Sequence, residues 1–153
     1  MATTSIIAIK LKDSNRDFVN PNNKRQTVML PNSANYMYIS CFYDGYILSG
    51  VGDVLLEKYK NYEDVLNIIC QGNRSELVTG LKNETYAERG EGWGINKPRY
   101  AENIYDIEAD SYNYVFENGK WYVRTTAYLD KEIPQGKYLD LKDVKEFLIE
   151  KNK

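Results

Sequence analysis

Two short segments hold the residues with the most chemistry to offer. In the first, Phe42-Tyr43-Asp44-Gly45-Tyr46, an Asp-Gly reversal sets a carboxylate between tyrosines, and a Gly-rich stretch leads on towards Asp53. Rings of this kind, apolar in body and polar at the tip, suit half-wet recognition surfaces. In the second, Glu88-Arg89-Gly90-Glu91-Gly92-Trp93-Gly94, Arg89 is the only base of a Gly-rich loop and has Trp93 close by. An Arg near an aromatic ring is a recurrent way to hold a planar or anionic ligand. An Arg–Glu surface pair with Trp93 folded into the core accounts for the same residues equally well. The candidate binding set is Tyr43, Asp44, Tyr46, Arg89, Glu91 and Trp93.

Catalysis finds less support. The chain contains no histidine, which removes Ser-His-Asp and Cys-His machinery, HExxH zinc sites and two-His iron sites. Cys41 has no cationic activator nearby in sequence, so its thiol reads as a small apolar side chain. Gly45 to Gly52, GYILSGVG, lacks the Lys-Ser/Thr of a P-loop and does not match GxGxxG. Asp53 also sets a negative charge where a phosphate would sit. Its glycines are read as permitting a positive-φ turn and a tight helix entry. Carboxylates are plentiful, but no spacing singles out an acid–base pair. No catalytic residue, metal ligand or cofactor is assigned, and a metal held only by oxygens stays open.

Composition sets further bounds. A chain of 153 residues with 42% hydrophobic and 27% charged residues is expected to form one globular domain over residues 1–153. The net charge of −2 gives no global field to attract nucleic acid. Glu102, Asp106, Glu108, Asp110 and Glu117 follow one another without a Lys or Arg between them, which reads as a solvated edge or as an acidic face for a basic partner. Fourteen tyrosines against four phenylalanines fit strand propensity and base composition as well as an interface. Cys41 and Cys70 are expected to be reduced and buried. No segment is long and apolar enough for a membrane span, so an intracellular, soluble protein is expected.

The elements that must position these residues follow from periodicity. Ser5 to Lys12 alternates as a half-buried strand, and Tyr36 to Phe42 reads as a strand with Met37, Ile39 and Cys41 on one face. Asp13 to Gln26 reads as an exposed loop before a short strand over Thr27–Leu30. Val51, Val54, Leu55 and Tyr59 recur at helical spacing, and a second helix starts at an Asn61 cap and ends before Gly72. Asn73 to Pro98 is irregular apart from a turn of helix over Ser75–Val78. Asn118-Gly119 predicts a type I′ hairpin pairing Glu117 with Lys120, Phe116 with Trp121 and Tyr114 with Val123. Asp140 caps a last helix whose Lys145, Glu146, Glu150 and Lys151 stay wet. The fold class is therefore α+β: an antiparallel or mixed sheet, a hairpin in the C-terminal half and about three helices packed on it.

These residues also resemble a family of small proteins encoded by tailed phages and bacterial mobile elements. The resemblance covers most of the chain. It rests on TTSIIAIK, on YISCFYDGYILSGVGDVLLEKY set against Y-x-x-C-H-W-D-G-Y-x-x-G-V-G-x-x-L-L-x-x-Y, on Arg89-Gly90-Glu91, and on the run from Tyr112 to Val123. The family's His-Trp pair is Phe42-Tyr43 here, so any role resting on that His is missing, and Asp13–Gln26 resembles an insertion. The resemblance implies an accessory protein acting in the host cytoplasm that inhibits a host defence by binding, an anti-CRISPR role being one candidate. The target would be a defence protein or a defence-signalling nucleotide, the latter in a pocket completed by a homo-oligomer. The alternatives are a hydrolase or phosphodiesterase using carboxylates, Tyr and Arg, and a ligand-free structural assembly protein.

Overall fold

A computed structural model describes residues 3–12, 17–20, 23–77, 85–86 and 93–153. Its centre is the first strand, β1 (Ser5–Lys10), which the alternating pattern predicts to be half-buried. Both faces are covered: Ile7 and Ile9 on one side and Ile6 and Ala8 on the other are at most 1% exposed. The reason is position in the sheet. β1 lies antiparallel to β4 (Tyr36–Cys41) and parallel to β6 (Tyr112–Glu117), and a central strand in a two-sided sheet has no wet face.

β4 is flanked on its other side by the short edge strand β5 (Arg99–Ala101), and β6 continues through β7 (Lys120–Thr125) to β8 (Leu139–Asp140). The result is a mixed six-stranded sheet in the order β5-β4-β1-β6-β7-β8. The hairpin between β6 and β7 has the register predicted from Asn118-Gly119, with Asn118 at φ 53° and Gly119 at φ 77°. A type I′ turn demands positive φ at both positions.

Helices cover one face. α1 (Val51–Lys58), α2 (Tyr62–Cys70) and α4 (Leu141–Lys151) bring Val51, Leu55, Val65, Ile69, Leu141 and Val144 onto Ile7, Ile39, Tyr114 and Val123. The caps are those the sequence announces. The Asn61 side chain accepts the Asp64 N–H at 3.0 Å, Gly72 takes φ 88°, and the Asp140 carboxylate accepts the Asp143 N–H at 3.2 Å. A one-turn helix, α3 (Trp93–Asn96), completes the set. Lys145, expected to be wet, instead reaches back to the Asp53 carboxylate at 2.8 Å and ties α4 to α1.

The opposite face has a smaller cluster, where Ile107 covers Ile6, Ala8, Tyr36, Tyr38, Ala101 and Val115, with Ile104 and Tyr138 at its margin. This is an α+β fold with helices on one side and irregular chain on the other.

Two local expectations are corrected. Residues 17–20 and 23–29, read as loop and short strand, form a two-stranded antiparallel ribbon of β2 (Asp17–Asn20) with β3 (Asn23–Met29). Phe18 opposite Val28 sinks into the main core and anchors the ribbon, which outweighs the loop-like Asn and Lys content around it. Residues 75–77 are not helical. Arg74 pairs in parallel with Cys41 across the margin of β4, and the Phe42 and Tyr43 N–H groups donate to the Arg74 and Ser75 carbonyls. The open margin of β4 holds this chain by backbone pairing in place of a helix.

Cys41 is buried and Cys70 half-buried, and both remain thiols. Burial pushes the Cys70 thiol pKa up to about 11. Burial is also the leading cause that raises the hydroxyl pKa of Tyr36, Tyr38, Tyr62, Tyr112, Tyr114 and Tyr138. A tyrosine in the unfolded chain ionises near pH 10, or about that value. Below it both states are protonated and these residues give stability no pH dependence. Above it the unfolded chain binds fewer protons than the folded one, so stability falls as pH rises. Alkaline unfolding is expected to begin above about pH 10, with tyrosinate absorbance and loss of circular dichroism rising together. Tyrosinate absorbance that reached its full amplitude while the dichroism stayed native would contradict this.

Candidate functional site

The Tyr43–Tyr46 turn follows directly from β4, and its backbone is bonded on three sides. Gly45 N–H donates to the Thr3 carbonyl at 3.0 Å, and the buried Tyr114 hydroxyl donates to the Gly45 carbonyl at 2.6 Å. The first N–H groups of α1 close the third side, Val51 to the Asp44 carbonyl at 2.8 Å and Gly52 to the Tyr46 carbonyl at 3.1 Å. The Asp53 carboxylate accepts the Ser49 N–H at 2.6 Å.

This pattern bears out the tight helix entry expected of the glycines and corrects the expected positive φ. Positive φ falls on Asp44 (56°) and Ser49 (58°), whereas Gly45, Gly50 and Gly52 avoid it. What those three supply is absence of a side chain. A Cβ on Gly50 would sit 2.4 Å from the Asp44 carbonyl oxygen, one on Gly52 would sit 2.7 Å from Ile47 Cα, and one on Gly45 would sit 2.9 Å from the Thr3 carbonyl. The loop is wound so tightly onto the start of α1 that only hydrogen fits. The same bonds weigh against a phosphate cradle, because the Gly45, Ser49, Val51 and Gly52 N–H groups are already given to carbonyls and to Asp53.

On this base Tyr43 and Tyr46 stand 51% and 47% exposed, available for contact yet rooted. Tyr46 meets the Tyr112 ring edge-on at 6.4 Å, and Tyr112 lies nearly parallel to Tyr114, 13° apart in plane, at 6.2 Å. A ladder of rings therefore runs from the surface to the buried hydroxyl that holds Gly45. Tyr112 and Tyr114 belong to the site as its support. Their i, i+2 spacing on a hairpin strand announces a shared face, but nothing in sequence ties that face to a turn some seventy positions earlier.

Beside the tyrosines, Asp44, Asp53, Glu57 and Glu76 line a cleft of about 200 Å³. Asp53 is held there by Lys145 and the Ser49 N–H, while the Asp44, Glu57 and Glu76 carboxylates make no ion pair among the described residues. Glu57 and Glu76 were not singled out from sequence. They join Asp44 only because α1 and the segment after Arg74 converge on the turn.

The second candidate segment is described only in part. Arg89 and Glu91 lie outside the described residues, as does the Trp93 side chain; the Trp93 backbone opens α3. The far end of that helix is tied towards the turn, since the Asn96 carbonyl accepts the Asn73 N–H at 2.8 Å and the Asn73 side chain accepts the Ser40 N–H at 2.9 Å. Phe42, at the position where the resembling family has His, packs edge-on against Tyr86 at 5.7 Å, an apolar contact that helps to close the sheet margin.

The acidic residues between Arg99 and Lys120 do not form one binding face. Asp106 closes a capping box with Asn103, Glu108 pairs with Arg99, Asp110 accepts the Thr4 hydroxyl, and Glu117 accepts the Tyr36 hydroxyl at 2.6 Å. Only Glu102 is exposed without such a bond. Among the described residues, no group of three or more His, Cys, Asp or Glu side chains is arranged to hold a metal ion, and no helix is long and apolar enough to cross a membrane.

Comparison with family models, with curated proteins and with solved structures finds no match to this chain.

Proposed function

We propose that the chain is a non-enzymatic binding protein of phage or mobile-element origin that inhibits a host defence by engaging a defence protein through the Tyr43–Asp44–Tyr46 turn. The observation that carries this reading is the pairing of two half-exposed tyrosines with a turn backbone hydrogen-bonded on three sides and with neighbouring carboxylates. A pre-ordered aromatic surface loses little entropy on binding, and tyrosines are enriched among residues that dominate interface energy. The carboxylates of Asp44, Glu57 and Glu76 favour a partner surface rich in Arg or Lys and repel the phosphates of a signalling nucleotide at this face. The resemblance to phage-encoded proteins supplies the biological setting.

The test is the plating efficiency of a defence-sensitive phage on bacteria that express the chain together with a panel of defence systems. Wild type is expected to restore plating against at least one system. The double variant Tyr43→Ala, Tyr46→Ala is expected to lose that restoration at unchanged abundance, since each truncated anchor costs roughly tenfold or more in affinity. No restoration against any system, or a fully active double variant, would reject the proposal.

A further inference from the structure

At the hairpin-turn end of the sheet, two clefts of about 370 and 420 Å³ meet along Lys60, Phe116 and Gly119, each within the size range of small-molecule sites. None of their lining residues belongs to the Tyr43–Tyr46 turn or to its acidic cleft. The first cleft is lined by Lys10, Lys12 and Lys60 with Asn61 and Asn118, over an apolar floor of Leu11 and Phe116, and no acid lines it among the described residues. The second adds Lys120 and Lys142. Its two acids are Asp140 and Asp143, and the Asp140 carboxylate is turned to the backbone as the cap of α4.

This grouping is unusual for a chain whose net charge is −2. Lysines gathered around one concavity repel one another, and the low-dielectric wall beneath them focuses the positive field into the cleft. At the rim Lys12 is held in place: its ammonium lies 4.3 Å from the centre of the Tyr62 ring, and its backbone N–H donates to the Tyr62 hydroxyl at 3.0 Å.

We infer that this lysine cleft binds a small polyphosphate anion, of the class presented by the phosphate chain of a nucleoside triphosphate. Lysine ammoniums serve such a chain as point charges with three donors each, without requiring planar recognition. Two joined clefts with five lysines along them match an extended anion better than a single phosphate. The inference goes beyond the protein-binding role proposed for the turn and does not depend on it.

Calorimetric titration of the full chain at low ionic strength with ATP, with inorganic tripolyphosphate and with adenosine tests the idea. ATP and tripolyphosphate are expected to bind saturably and adenosine not at all, with affinity falling as salt is added. The double variant Lys10→Gln, Lys60→Gln should weaken binding about tenfold or more, whereas Lys131→Gln, remote from the cleft, should leave it unchanged. All three positions are exposed, and a matching thermal unfolding profile confirms that the variants fold. Lys60→Glu alone should also abolish binding if the double variant proves unstable. Equal binding of adenosine and ATP, indifference to the lysine changes, or no saturable binding of either phosphate compound would overturn the inference. Binding of poly-glutamate with none of tripolyphosphate would also overturn it, and would give the cleft to an acidic protein segment.

Discussion

Gly50→Ala is expected to lower the stability of the folded chain by about 3 kcal/mol, near the upper end for overpacked sites. The added Cβ would lie 2.4 Å from the Asp44 carbonyl oxygen and 2.6 Å from that of Tyr46. These are backbone atoms, so no flexible side chain can swing aside. Both carbonyls also accept the first N–H groups of α1, from Val51 and Gly52, so any shift that relieves the clash breaks helix-capping bonds as well. For a domain of this size the loss corresponds to a fall of roughly 10 °C in Tm. In urea it should appear as a lower midpoint with an unchanged slope. Gly94→Ala is the control, since a Cβ there meets nothing within 4 Å, and it should stay within about 0.5 kcal/mol of wild type. A Gly50→Ala protein as stable as the control would show that the turn is not wound onto the helix as described.

Tyr114 carries the second large effect, and two substitutions divide it into parts. Its ring is fully buried and its hydroxyl donates to the Gly45 carbonyl at 2.6 Å. Tyr114→Phe keeps the ring but leaves a buried carbonyl without that donor, a loss of about 1–3 kcal/mol. Tyr114→Ala also opens a cavity between the sheet and the helices and should cost about 3–5 kcal/mol, as for other large aromatic truncations. Tyr114→Phe should further weaken any activity that depends on Tyr46, because the same hydroxyl fixes the Gly45–Tyr46 peptide. Urea unfolding of both variants checks the order. A Tyr114→Phe variant indistinguishable from wild type would remove the bond from the account of how the turn is held.

The parts of the fold legible in sequence are those set by neighbours along the chain. Asn118-Gly119 specified its hairpin and register because a type I′ turn needs two residues tolerant of positive φ, and the Asn61, Gly72 and Asp140 caps were visible because capping is completed within a few residues. The alternation Met37, Ile39, Cys41 named the helix-facing side of β4. What failed depended on partners distant in sequence. β1 looked half-wet because alternation describes one strand, whereas its burial on both faces comes from the helices on one side and from Ile107 on the other, beyond a long separation. The β2–β3 ribbon was hidden because polar content suggested loop, and only the placement of Phe18 in the core reveals why it pairs.

The candidate site divides in the same way. Residue type and order alone marked Tyr43, Asp44 and Tyr46 as a sharp aromatic turn and, through the missing histidine, removed whole classes of catalysis. Tertiary structure decided that the glycines serve close approach and not positive φ, that Tyr112 and Tyr114 brace the turn, and that Glu57 and Glu76 join Asp44. It also gathered Lys10, Lys12, Lys60, Lys120 and Lys142, five lysines scattered along the sequence, at one end of the sheet. Local chemistry is written in the order of residues because turns and caps are short-range. Steric clearance and electrostatic potential are sums over atoms that only folding brings within a few ångströms of each other.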